Sequence, residues 1–221
     1  MKIITLNPRE IKAVIFDFDG TICDSLKVKA EAFGEVYSKY GKDISSQVID
    51  YHNNNLGVPR EIKFKYFQKE IVNESYSIEK INELSDIFSK LVVKKVIEAP
   101  FIEGAKEFLS IYHDRYDLYI SSATPQKELE RIINAKGISK FFMTINGSPE
   151  KKDEHIRKIM RSKNFRKEET VFIGDANQDK EAAEITGVHF IGVGMNNFSE
   201  DTLKLENLIA LNDFIQSRLL S

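Results

Sequence analysis

The chain has 221 residues, 42% hydrophobic and 30% charged, with a formal net charge of −2, enough for one large domain or a core with a smaller domain appended. Its charge balance lacks the basic excess that bulk attraction to nucleic acid or an anionic membrane requires. The one cysteine, Cys23, excludes a disulfide within the chain and argues against a zinc cluster.

The opening residues do not show the basic-then-apolar pattern of a secretory signal. No run of about 18 apolar residues is present that would mark a membrane span. The expectation is a cytoplasmic protein.

The first apolar run, Ala13-Val14-Ile15-Phe16, reads as a short buried strand. Residues 25–97 contain no convincing strand and read as helices over about 26–40, 45–54, 60–70 and 78–97. An all-helical stretch of that size predicts a second, smaller domain. The chain would leave the core near Ser25 and return near Pro100, with hinges at both crossings. The expected division is 1–24 plus 98–221 for the core and 25–97 for the helical unit.

Further along, Leu118-Tyr119-Ile120, Val171-Phe172-Ile173 and His189-Phe190-Ile191-Gly192-Val193 read as buried strands, with a weaker candidate at Phe141-Phe142-Met143-Thr144. Helical patterns fall between them. One runs over 126–136 between Pro125 and Gly137, one over 153–163, a short one over 179–186 ending at Gly187, and a closing one over 205–219. Strands alternating with helices predict an α/β fold, a parallel sheet covered on both faces.

Side chains just after parallel strands converge at one end of the sheet. Asp17-Phe18-Asp19-Gly20-Thr21 follows the first strand. Asp17 could attack phosphorus as a carboxylate nucleophile, and Asp19 could act as general acid and then base. Gly20 permits the sharp turn. Alone, such a pair reads more readily as a helix cap or a solvated loop. Gly174-Asp175, with Asp179 four residues on, offers hard oxygen ligands that suit Mg2+, although Asp179 also suits a helix cap.

Ser121-Ser122 follows another strand and could hold phosphoryl oxygens. Lys151-Lys152 precedes a helix, and an ammonium there could neutralise a transferring phosphoryl group. Each element is weak alone; their order, all at one end of the predicted sheet, carries the argument.

With these motifs in place, the sequence resembles the haloacid dehalogenase superfamily of phosphotransferases. Asp17-Phe18-Asp19-Gly20-Thr21 and Gly174-Asp175-Ala176-Asn177-Gln178-Asp179 match its first and last motifs closely; Ser121 and Lys152 match more loosely. The resemblance implies a Rossmann-like core, a helical cap inserted at 25–97, and an aspartyl-phosphate on Asp17. It also implies a magnesium ion held by the Asp17 carboxylate, the Asp19 carbonyl, Asp175 and Asp179, the last directly or through water. The prolines usual after the motif lysine are replaced by Asp153 and Glu154, which leaves Lys151 and Lys152 as alternatives.

An acid at Asp19 points within this family to phosphate esters, hence to a phosphatase acting on a small phosphoester such as a sugar phosphate. A phosphomutase is the alternative, and a catalytically silent relative a third reading. Leu56-Gly57-Val58-Pro59-Arg60-Glu61 resembles the cap loop of β-phosphoglucomutase, which makes Arg60 a candidate for a bidentate contact to substrate. The hinge histidine of that mutase is replaced here by Lys29, which favours hydrolysis. His52, its asparagine neighbours and Lys63-Phe64-Lys65 place chemistry suited to a polyhydroxylated or acidic substrate in the same unit. The expected assembly is a monomer or a homodimer.

Overall fold

The computed structural model describes residues 6–194 and 198–219. The outer ends of the expected core span, 1–5 and 220–221, lie outside the described residues. The order of elements is β1 (Ala13–Phe16), α1 (Leu26–Val36), α2 (Lys42–Asn54), α3 (Arg60–Tyr66), α4 (Ile78–Glu98), α5 (Ala105–Tyr112), β2 (Asp117–Pro125), α6 (Gln126–Ala135), β3 (Thr144–Ser148), α7 (Lys152–Lys163), β4 (Thr170–Gly174), α8 (Asn177–Thr186), β5 (His189–Val193), β6 (Leu203–Leu205) and α9 (Leu208–Leu219).

The strands form one six-stranded sheet in the order β3-β2-β1-β4-β5-β6, with every neighbouring pair parallel. β1 is buried along its whole length. That is why it reads as a continuous apolar run rather than an alternation: a parallel sheet is covered on both faces. Val14, Phe16, Leu118 and Ile173 belong to the larger core cluster, whereas Ala13, Ile15, Tyr119 and Phe172 pack with Ile156 and Ile159 of α7 on the other face.

The segment between β1 and α5 is helical throughout its regular elements. Its interior is aromatic, with Phe33 ringed by Phe64, Phe67 and Phe88 at centroid distances of 4.1–5.7 Å. The two crossings between this insert and the core lie side by side. Cys23 bridges Phe101 in antiparallel fashion, and the Asp24 amide donates to the Pro100 carbonyl at 2.9 Å.

The structure departs from the sequence reading in a few places. The weak strand expected at 141–144 lies instead at Thr144–Ser148, and Ser139–Phe141 is a 3-10 turn. Phe141 and Phe142 are apolar because they pack against the core from that turn, so their hydrophobicity does not signal a strand. The helix expected over 26–40 ends at Val36, followed by a 3-10 turn at Ser38–Tyr40. The one expected over 60–70 passes into a π-helical turn at Phe67–Ile71. The start of the closing helix is taken by edge strand β6.

Candidate active site

Strand register assembles the site. Phe16 pairs with Ile120 on one side and Ile173 on the other, so the residues that follow emerge next to one another. The Asp17 amide is held by the Ile173 carbonyl at 2.8 Å. Gly20, at φ +84°, turns the chain beneath Asp175. A Cβ at position 20 would lie 2.3 Å from an Asp175 carboxylate oxygen, so glycine is required there by close approach as well as by backbone angle.

Asp17, Asp175 and Asp179 are all buried, and each offers a carboxylate oxygen within 4.8 Å of the others. Lys152 reaches into this group. Its Nζ donates to Asp17 Oδ1 at 2.9 Å and to Asp179 Oδ1 at 2.5 Å, while Lys151 is exposed at the start of α7. Asp179 also accepts from the Ala176 amide at 3.0 Å, so both its oxygens are engaged, one by a helix start and one by the lysine.

Three buried acids against one lysine leave an excess of negative charge. Burial, together with the neighbouring carboxylates, pushes Asp17 up to about 7 despite Lys152. The same causes raise Asp175 well above the ordinary carboxylate range. Burial alone would lower the Lys152 pKa, but Asp17 and Asp179 outweigh it and raise it. A small divalent cation with oxygen preference suits this donor set, because it would supply the positive charge that the cluster lacks.

Asp19 is set apart from the three. Its carboxylate accepts from Ser25 Oγ at 2.6 Å, Lys29 Nζ at 2.5 Å and Thr124 Oγ1 at 2.9 Å. Burial would raise its pKa, yet the Lys29 charge and these hydrogen bonds together hold it below the ordinary value. Sequence reasoning did not single out Thr124, nor Lys29 as a partner of Asp19, although signals exist for both. Lys29 lies one helical turn after Ser25, and Thr124 two residues after Ser122, on the same side of an extended strand.

The adjacent serines part company for the same reason. Ser122 lines the cleft beside Asp17, and its Oγ accepts from the Thr124 amide at 3.1 Å. Ser121 points the other way, its hydroxyl hydrogen-bonded to His155 Nδ1 at 2.9 Å. Of the pair expected to bind phosphate, only Ser122 faces the cleft.

Arg60 also lines the cleft, but the bidentate contact expected with substrate is made within the chain. Its Nη1 and Nη2 donate to the two carboxylate oxygens of Glu128 in α6 at 2.9 and 2.6 Å, and Nη1 also reaches Ser89 at 2.7 Å. The guanidinium therefore ties the helical insert to the core. His52 and Lys63, from the same insert, lie in the cleft wall and touch each other at 2.8 Å.

The haloacid dehalogenase-like hydrolase family model matches residues 14–193. A phosphorylated carbohydrates phosphatase of Thermotoga maritima is 26% identical over 207 residues, covering 89% of this chain and 91% of the relative. A phosphoglycolate phosphatase of Vibrio vulnificus is 27% identical over 199 residues, covering 85% and 86%. The crystal structure of a β-phosphoglucomutase from Clostridium difficile superposes with a TM-score of 0.78 at 22% identity, covering 94% of this chain and 96% of that one, a likeness of fold. With the family match running from β1 to β5, the chain belongs to the haloacid dehalogenase-like hydrolases.

Proposed function

We propose that this protein is a magnesium-dependent phosphatase that cleaves a small phosphate monoester, a sugar phosphate or related metabolite, through a phosphoryl group carried on Asp17. The observation that carries this reading is Asp17 itself: a buried carboxylate at a strand end, 2.9 Å from a lysine and within 4.8 Å of two further acids.

Asp17 and Asp175 would hold the cation, with Asp179 beside them. When bound, the metal supplies Lewis-acid stabilisation of charge on the phosphoryl oxygens and relieves repulsion between the nucleophile and the substrate. An Asp17 oxygen attacks phosphorus, the bond to the ester oxygen breaks, and Asp19 gives that oxygen its proton. Asp19 is ionised in its present surroundings; a phosphate dianion seated beside Asp17 places more negative charge nearby and raises its pKa, the direction a general acid needs. In the second half Asp19 takes a proton from water as that water attacks phosphorus, which frees Asp17 and releases phosphate. Lys152 offsets charge on Asp17 throughout, and the Ser122 hydroxyl faces the phosphoryl oxygens. The helical insert acts as a cap that limits bulk water.

The test is phosphate release from a panel of phosphorylated metabolites and p-nitrophenyl phosphate with magnesium, using Asp17→Asn as the blank. Turnover is expected to fall by about 10^4-fold or more in that variant, with an unchanged circular dichroism spectrum. Wild-type rates in Asp17→Asn would remove the nucleophile. Isomerisation of a sugar phosphate with little phosphate released would place the protein among the mutases instead.

A further inference from the structure

Four cationic side chains line the cleft: Lys29, Arg60, Lys63 and Lys152. Three have a carboxylate partner, Lys29 with Asp19 at 2.5 Å, Arg60 with Glu128 at 2.6 Å, and Lys152 with Asp17 and Asp179 at 2.9 and 2.5 Å. Among the described residues Lys63 has none, although it is 1% exposed. Its Nζ meets His52 Nδ1 at 2.8 Å. When Lys63 is an ammonium it can only donate, so Nδ1 accepts and the ring proton sits on Nε2. That Nε2 is itself buried without a hydrogen-bond partner, in a residue 3% exposed. The cleft wall thus carries a lysine held by the His52 ring and the Phe33 face but by no carboxylate, beside an imidazole nitrogen without a hydrogen-bond partner. Leaving such groups unsatisfied is costly.

We propose that Lys63 and His52 read a second anionic group on the substrate, a carboxylate or a second phosphate carried a short way from the ester that is cleaved. The inference rests on the phosphatase reading above and adds its substrate class. Lys63 lies three residues after Arg60 on α3, hence on the same side of that helix; Arg60 is bound to Glu128, which leaves Lys63 as the cleft cation without a carboxylate partner among the described residues. Burial and the nearby Lys29 charge lower the Lys63 pKa to about 7, and an incoming anion would favour the ammonium over the neutral amine.

The experiment compares kcat/KM for phosphoglycolate, 1,3-propanediol bisphosphate and ethyl phosphate, the last with an uncharged tail, in wild type, Lys63→Met and Lys63→Arg. The wild type should favour at least one of the doubly anionic substrates over ethyl phosphate, and which one distinguishes carboxylate from phosphate. Lys63→Met should reduce that preference by about tenfold or more, chiefly through KM, and Lys63→Arg should restore part of it. Should Lys63→Met fail to fold, His52→Leu is read in the same way. Hydrolysis of all three substrates with equal efficiency by the wild type would overturn this proposal alone. So would an equal loss on charged and uncharged tails in the variant. No magnesium-dependent hydrolysis of any of them, or of p-nitrophenyl phosphate, would instead remove the phosphatase reading.

Discussion

The two walls of the cleft are built on different logic. On the core side, acids stand at the ends of parallel strands, fixed by register, and their charge exceeds that of the lysine among them. On the insert side, the polar groups project from helices around an aromatic interior, and their charge is positive. The acids are thus anchored in strand register, while the cationic groups of the insert are anchored in helix packing around Phe33.

The largest effect that separates the walls should come from Lys152→Met. It leaves Asp17 and Asp179 without their buried counter-charge, and kcat should fall by about 10^2- to 10^3-fold, with a lower thermal midpoint measured by calorimetry. Next, magnesium at about 100 times its Kd should raise the melting temperature of the wild type by about 5–10 °C. Asp175→Asn should abolish most of that rise; an undiminished rise would place the ion elsewhere.

A smaller effect tests the tie between the walls. Glu128→Ala leaves Arg60 buried without its partner and should cost about 2 kcal/mol in urea unfolding, below the full value for a buried pair because Glu128 is partly exposed. The double change Arg60→Met, Glu128→Leu should recover most of the loss.

The smallest effect concerns Lys63 and has a sign set by pH. Its folded pKa, about 7, lies below the ordinary 10.5. Between those values the unfolded chain binds the proton and the folded chain does not, so wild-type stability rises with pH across that window. Lys63→Met should therefore melt about 2–4 °C above wild type at pH 6, and the advantage should fade towards pH 10. No difference at pH 6 would mean that the ammonium has a counter-charge after all.

The motifs at strand ends were legible because a short apolar run announces where a strand stops, and the residue after it lies at the carboxyl end of the sheet. This holds for Asp17 and Asp175. It fails for the serine pair: β2 is buried on both faces, so nothing in Leu118-Tyr119-Ile120-Ser121-Ser122 shows which serine faces the cleft. Arg60 was legible as a candidate, but its partner Glu128 lies on a helix beyond β2, a pairing that only the tertiary fold creates. Lys63 and Lys65 flank Phe64 symmetrically in sequence, yet one is buried and the other exposed; helix rotation decides which, and it is set by the aromatic packing around Phe33. The three-residue β6 lies below the length at which hydrophobic patterning carries information.

The paired crossings between insert and core have a mechanical consequence. With Cys23 bridged to Phe101 and Asp24 bonded to Pro100, the two connections form a single two-stranded ribbon. The chain therefore leaves and re-enters the core at one place, which fixes where the insert is attached.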